Sequence, residues 1–148
     1  ADPDPAAQWA QARVLRPAAS VGAMQQAGGV LSAARLGNDS AYFYLRIELT
    51  EPLLAHDVEA HLHTPAGLFL LSLGRGHSTA YLYRQLDGVH ASQGAIACTL
   101  GERLVEVAAP LARLGVLPLT ASSAIDLYIT VDGAERLPAA GLATVALA

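Results

Sequence analysis

Lysine is absent from the chain, and the nine arginines that carry its positive charge are outnumbered by 13 aspartates and glutamates. The formal charge of -4 and a pI near 5.6 exclude the basic face that nucleic acid or an anionic membrane surface requires. One cysteine, Cys98, excludes an internal disulfide. It sits among small apolar residues in Ala95–Thr99 with no cationic neighbour, and reads as a buried hydrophobe rather than a reactive thiol. There is one tryptophan, Trp9, and one methionine, Met24. Long apolar runs are missing too. Although 53% of the residues are hydrophobic, charge breaks every run well short of a membrane span. No nucleic-acid partner or membrane segment is therefore expected, and no cofactor or metal is assigned. The absence of a leader pattern and the single free cysteine favour a cytoplasmic setting. The start at Ala-Asp-Pro-Asp-Pro reads as a linker tail, as in a processed product or a domain cut from a longer protein.

What is present is a period of two. In Ala41–Thr50, Phe43, Leu45, Ile47 and Leu49 fall on one face of an extended strand, with Tyr42, Tyr44, Arg46 and Glu48 on the other. The pattern returns in Ile125–Val131, with Asp126, Tyr128 and Thr130 outward, and in Asp57–Thr64, with Val58, Ala60 and Leu62 inward and Glu59, His61 and His63 outward. These are half-buried antiparallel strands. Leu68–Leu73 is a continuous apolar run, expected to be covered on both faces. In Ala80–Leu86, Leu82 and Leu86 share one face and Tyr81 and Tyr83 the other, before the hairpin signal Asp87-Gly88. Ala95–Leu100 and Arg103–Ala109 flank Gly101-Glu102 as a second hairpin, and Val30–Leu36 with Tyr42–Leu49 forms another around Gly37–Ser40. A last strand lies near Ala143–Leu147. Pro110–Gly115 carries the proline and glycine of a short helical turn. About eight strands with one helical turn near 110–115 predict an all-β antiparallel sandwich, jelly-roll or immunoglobulin-like, over residues 20–148. Residues 1–19 form a linker or edge segment, with Trp9 as a plug for one end of the sandwich.

No stretch carries a catalytic motif. No serine sits in a G-x-S-x-G turn, and Gly74-x-Gly76 lacks the remainder of a phosphate loop, so it is a turn. Glu48 and Asp126 could pair as carboxylates only if the fold joins them. His61-x-His63 projects two imidazoles side by side, yet two ligands do not make a zinc site, and nothing places Glu59 or His77 beside them. The collective signal is stronger. Tyr42, Tyr44, Arg46, His61, His63, Tyr81, Tyr83 and Tyr128 all face outward, a set able to stack on sugar rings and bond hydroxyls, to form a protein interface, or to pair across strands as an ordinary outer layer.

Several blocks carry a resemblance: Gly22-Ala-Met-Gln-Gln-Ala27, Val30-Leu31, the run Gly37–Leu49, Leu104–Gly115, and Glu135-Arg-Leu-Pro138 followed by Gly141. In their order and spacing the chain resembles the C-terminal β-sandwich domain that follows the catalytic barrel in many glycoside hydrolase family 57 proteins. That domain is similar in turn to family 9 carbohydrate-binding modules and DOMON-like domains. The resemblance implies a non-catalytic accessory domain with an α-glucan or oligosaccharide, or the parent chain's catalytic barrel, as partner. No catalytic residue carries over. Family 9 modules hold sugar between tryptophans, and Trp9 lies outside the matched blocks. The alternatives are a protein-interaction domain without a small ligand, and a DOMON-like haem or redox binder using Met24 with His61, His63 or His77 as axial ligands.

Overall fold

The computed structural model describes residues 13–17 and 29–147. Eleven strands make one continuous antiparallel system: β1 (Arg13–Leu15), β2 (Leu31–Asn38), β3 (Tyr42–Leu49), β4 (Val58–Thr64), β5 (Gly67–Leu73), β6 (Ala80–Leu86), β7 (Val89–Leu100), β8 (Leu104–Pro110), β9 (Ala124–Val131), β10 (Glu135–Leu137) and β11 (Ala143–Ala146). The order is β1-β2-β3-β8-β7-β6-β5-β4-β9-β10, and β11 also pairs with β9. Two sheets face each other, sheet A from β1, β2, β3, β8 and the end of β7, and sheet B from the start of β7 through β6, β5, β4 and β9 to β10 and β11. The all-β antiparallel sandwich expected from the alternation is what forms, and the sheet comes close to closing into a barrel.

β7 is the corner. Its residues 89–96 pair with β6 and its residues 97–100 with β8. Between them the register jumps from Leu82↔Gly94 to Tyr83↔Ser92, leaving Gln93 as a bulge. An extra residue bends the strand that carries it, which lets one strand serve both sheets. The opposite seam is closed by a side chain. Glu135 of β10 accepts the backbone N–H of Val30 at 2.7 Å and of Leu31 at 2.6 Å, in place of a strand ladder between β10 and β2.

The inward residues of β3, β4 and β9 are buried as the period of two requires, and no polar or charged side chain is buried among the described residues. Leu53, Leu111 and Leu114, all at most 1% exposed, plug the interior. Trp9, expected in that role, lies outside the described residues, as does Met24.

Several expectations are corrected. Leu68–Leu73 is covered on both faces only in its middle, since Phe69, Leu71 and Leu73 point into the core and Leu70 is buried on the outer face, while Leu68 is exposed there. Leu86 does not share the burial of Leu82, because the β6–β7 hairpin runs past the body of the sandwich and leaves Leu86 and Val89 in solvent. Pro110 ends β8, and residues 111–115 form successive turns, with Arg113 and Leu114 donating to the carbonyls of Pro110 and Leu111. The one helical element among the described residues is a 3-10 turn, Leu53–Ala55, in the β3–β4 crossover. Strand β10 and the first half of β7 exceed the expected count, and β1 is an edge strand within residues 1–19. The hairpin turns are as expected, with Asp87 and Gly88 both at positive φ, the left-handed pair that matches strand twist.

Candidate functional site

The strand order divides the eight outward residues between two opposite faces. Tyr42, Tyr44 and Arg46 lie on sheet A; His61, His63, Tyr81, Tyr83 and Tyr128 lie on sheet B. Glu48 and Asp126 are separated in the same way, which removes them as a carboxylate pair.

On sheet A the charged groups satisfy one another. Glu48 sits between Arg35 at 2.9 Å and Arg46 at 3.2 Å, and Arg46 reaches Glu106 of β8 at 2.9 Å. Burial opposes ionisation of Asp39, but the Tyr44 hydroxyl at 2.6 Å and the N–H groups of Ala41 and Tyr42 outweigh it and hold the carboxyl below its ordinary range. The same bond, aided by burial, pushes the Tyr44 phenol up to about 12. Alanines 97 and 108 leave a shallow depression of about 210 Å³ beside Tyr44, Thr99 and Glu106.

Sheet B is built differently. Across β10, β9 and β4, the Arg136 guanidinium lies 4.0 Å from the centre of the Tyr128 ring, and His61 stacks on that ring at 4.3 Å, within 5° of parallel. His63 meets Tyr128 edge-on at 6.4 Å. Cross-strand pairing places these rings because His61↔Tyr128 and His63↔Asp126 are register partners. Beside them is a cleft of about 90 Å³. Leu68, Phe69 and Leu70 supply its apolar lining; His61, His63, Tyr128, Gln85 and His90 supply its polar groups. Beyond their backbone ladder bonds, the side chains of His63, Gln85 and His90 make no hydrogen bond to another described residue. Burial, the largest influence, pushes the His61 pKa down; Glu59 at 3.8 Å works the other way, and His63, His90 and Arg136 add to the fall. His61 therefore stacks as a neutral ring.

Tyr81 and Tyr83 stand on β6 outside the cleft lining, with Tyr83 opposite Leu70. Gln85 and His90 belong to the cleft although nothing in their local pattern singles them out, since they meet only as register partners across the β6–β7 hairpin. Of the axial candidates named for the haem alternative, His61 and His63 lie on the outer face of sheet B, His77 lies in the β5–β6 loop, and Met24 is outside the described residues. Among the described residues no group of three or more histidine, cysteine or acidic side chains is placed to hold a metal, and no helix is long and apolar enough to cross a membrane.

A second polar cluster ties three loops together. His56, next to the 3-10 turn, bonds Asp132 of the β9–β10 turn through Nδ1 at 2.6 Å and Glu51 through Nε2 at 3.1 Å. Asp132 also accepts the Asp57 N–H at 2.8 Å and Arg75 at 3.1 Å. The Asp132 bond, with Glu51, raises the His56 pKa against the opposing effect of burial, and His56, with the Asp57 N–H and Arg75, draws Asp132 down to about 2. Both imidazole nitrogens are taken by carboxylates and, among the described residues, no nucleophile bonds them, so the cluster acts as a clasp.

No protein-family model, no curated protein and no solved structure matches the chain. The glycoside hydrolase family 57 resemblance rests on the sequence blocks quoted above.

Proposed function

We propose that the chain is a non-catalytic accessory β-sandwich domain that binds carbohydrate on the outer face of sheet B. The observation that carries this reading is the cleft itself, where an apolar leucine floor, an aromatic wall held in place by Arg136 and His61, and unengaged imidazole and amide groups converge on an exposed sheet. Such a mixture suits a ligand with an apolar ring face and a polar rim. At about 90 Å³ the cleft is well below the roughly 300–1,000 Å³ of a site that encloses a ligand. It therefore seats one sugar substituent while the remaining ring lies along the sheet towards Tyr83 and Tyr81. Sheet A is the weaker candidate because Arg35, Glu48, Arg46 and Glu106 already pair among themselves.

The test is calorimetric titration of the domain with a panel of neutral oligosaccharides, maltoheptaose among them, and acidic ones. Saturable binding that is lost in His63→Ala supports the reading; a panel in which nothing binds refutes it. A second reading, a protein-interaction domain, is favoured by the exposed β6–β7 tip, where Leu86 is 47% and Val89 66% exposed.

A further inference from the structure

Sugar hydroxyls are both donors and acceptors, and a site for a neutral sugar must supply acceptors for them. No carboxylate lines the sheet B cleft. Its polar groups are three imidazoles, an amide and a phenol, and the Arg136 guanidinium stands at its edge over Tyr128. Arg136 is anchored there by its Nε on the Pro138 carbonyl at 3.1 Å and by its Nη2 on the Gly141 carbonyl. Of the nearest acids, one is turned to another partner and one faces a cleft imidazole. Asp126, opposite His63, accepts the Thr144 hydroxyl at 2.6 Å, and Glu59 stands 3.8 Å from His61 on the β10 side of the stack. Asp87 lies in the hairpin turn beyond the His90↔Gln85 pair. Each added proton makes the cleft a better donor and a poorer acceptor.

Resting on the sugar-binding reading above, we propose that the ligand carries an anionic group, a carboxylate, phosphate or sulfate on a sugar, and that the cleft takes up this group as its imidazoles gain protons. Charge-assisted bonds from imidazolium to an oxyanion are about twice as strong as neutral ones, and imidazole changes charge between about pH 5 and 8. His61 is the reporter. Burial favours its neutral form, Glu59 at 3.8 Å opposes this, and His63, His90 and Arg136 add to it, so a ligand anion beside it acts in the same direction as Glu59 and moves its titration to higher pH. Linkage requires the converse: binding weakens by up to about tenfold per pH unit, for each proton taken up, once the imidazoles are deprotonated.

The experiment follows the imidazole carbon-bound protons of all five histidines by NMR, at about pH 5.5 and about pH 7.5, at fixed ionic strength. The probes are maltoheptaose, oligogalacturonate, glucose 6-phosphate and glucose 6-sulfate, each added to wild type, His90→Gln and His63→Gln. Both substitutions are on the surface and leave the core untouched. The expected result is saturable shifts of His61, His63 and His90 with at least one anionic sugar, tighter by about tenfold or more at the lower pH, weakened in both variants, with His56 and His77 unmoved. Which anionic probe binds separates carboxylate from phosphate and sulfate. Equal binding of maltoheptaose at both pH values would overturn the inference while leaving the sugar-binding reading intact. Silence from every probe would overturn both, and shifts of equal size at all five histidines would be an ionic-strength effect that overturns the inference.

Discussion

Replacing Glu135 should open the seam between β10 and β2. In Glu135→Ala the N–H groups of Val30 and Leu31 lose the two carboxylate oxygens that accept them at 2.7 and 2.6 Å. Those residues are 9% and 3% exposed, so water replaces the lost acceptors poorly. A hydrogen bond to a charged group contributes about 1.5–3 kcal/mol. Two such bonds, discounted for partial rehydration at Val30, give a loss of about 2–4 kcal/mol. With a urea m-value of roughly 2 kcal/mol/M for a domain of this size, the midpoint falls by about 1–2 M. Glu135→Gln offers no rescue, since the amide turns an N–H towards one of the two donors. Urea unfolding followed by circular dichroism measures both variants, with Glu102→Ala, an exposed position, as a control expected to move by less than about 0.5 kcal/mol. A Glu135→Ala midpoint within about 0.3 M of wild type, close to the error of the method, would refute the assignment of this carboxylate as the closing element.

Two further predictions concern the ends of the sandwich. The His56 clasp is strongest in a defined pH window: His56, with its pKa raised, stabilises fully below its unfolded value of 6.5 and loses that contribution as pH rises through the folded pKa, whereas Asp132 contributes above 3.8 and loses its contribution as pH falls through about 2. The difference in melting temperature between wild type and His56→Gln should therefore be largest near about pH 5–6 and shrink towards about pH 9; a difference that stays flat across that range would remove the histidine from the argument. Gly115→Ala should destabilise by about 2 kcal/mol or more, because the backbone there has φ +70° and a Cβ would stand 2.3 Å from the Ala66 Cβ. Adding Ala66→Gly should recover the steric part and leave about 1–2 kcal/mol of left-handed strain, as read by thermal melting of the single and double variants; a double variant no more stable than Gly115→Ala would refute the Ala66 clash.

Much of the fold was legible in one dimension because each half-buried strand repeats its demand every second residue. Phe43, Leu45, Ile47 and Leu49, with the inward residues of β4 and β9, could be assigned to a core without knowing what they touch. The hairpin at Asp87-Gly88 was equally local, since few residues accept the positive φ that both of its turn positions adopt. The signal failed where packing overrides pattern. The β6–β7 hairpin leaves Leu86 dry in sequence logic and wet in fact because it runs beyond the body. The first half of β7 and all of β10 carry too little alternation to be seen.

The outward tyrosines, histidines and arginine were recognisable as a set, but the strand order alone separated Tyr42, Tyr44 and Arg46 from His61, His63 and Tyr128 and brought Gln85 and His90 to the latter. The same holds for the Glu135 seam and the His56–Asp132 clasp, whose partners stand 104 or 105 and 76 residues apart. The sequence by itself determined which face of each strand is buried, because alternation is a property of a single strand and the hydrophobic effect acts on it residue by residue. Only the tertiary structure decided which exposed side chains meet, because that depends on where β7 bends from one sheet to the other and on which strand comes to lie beside β9.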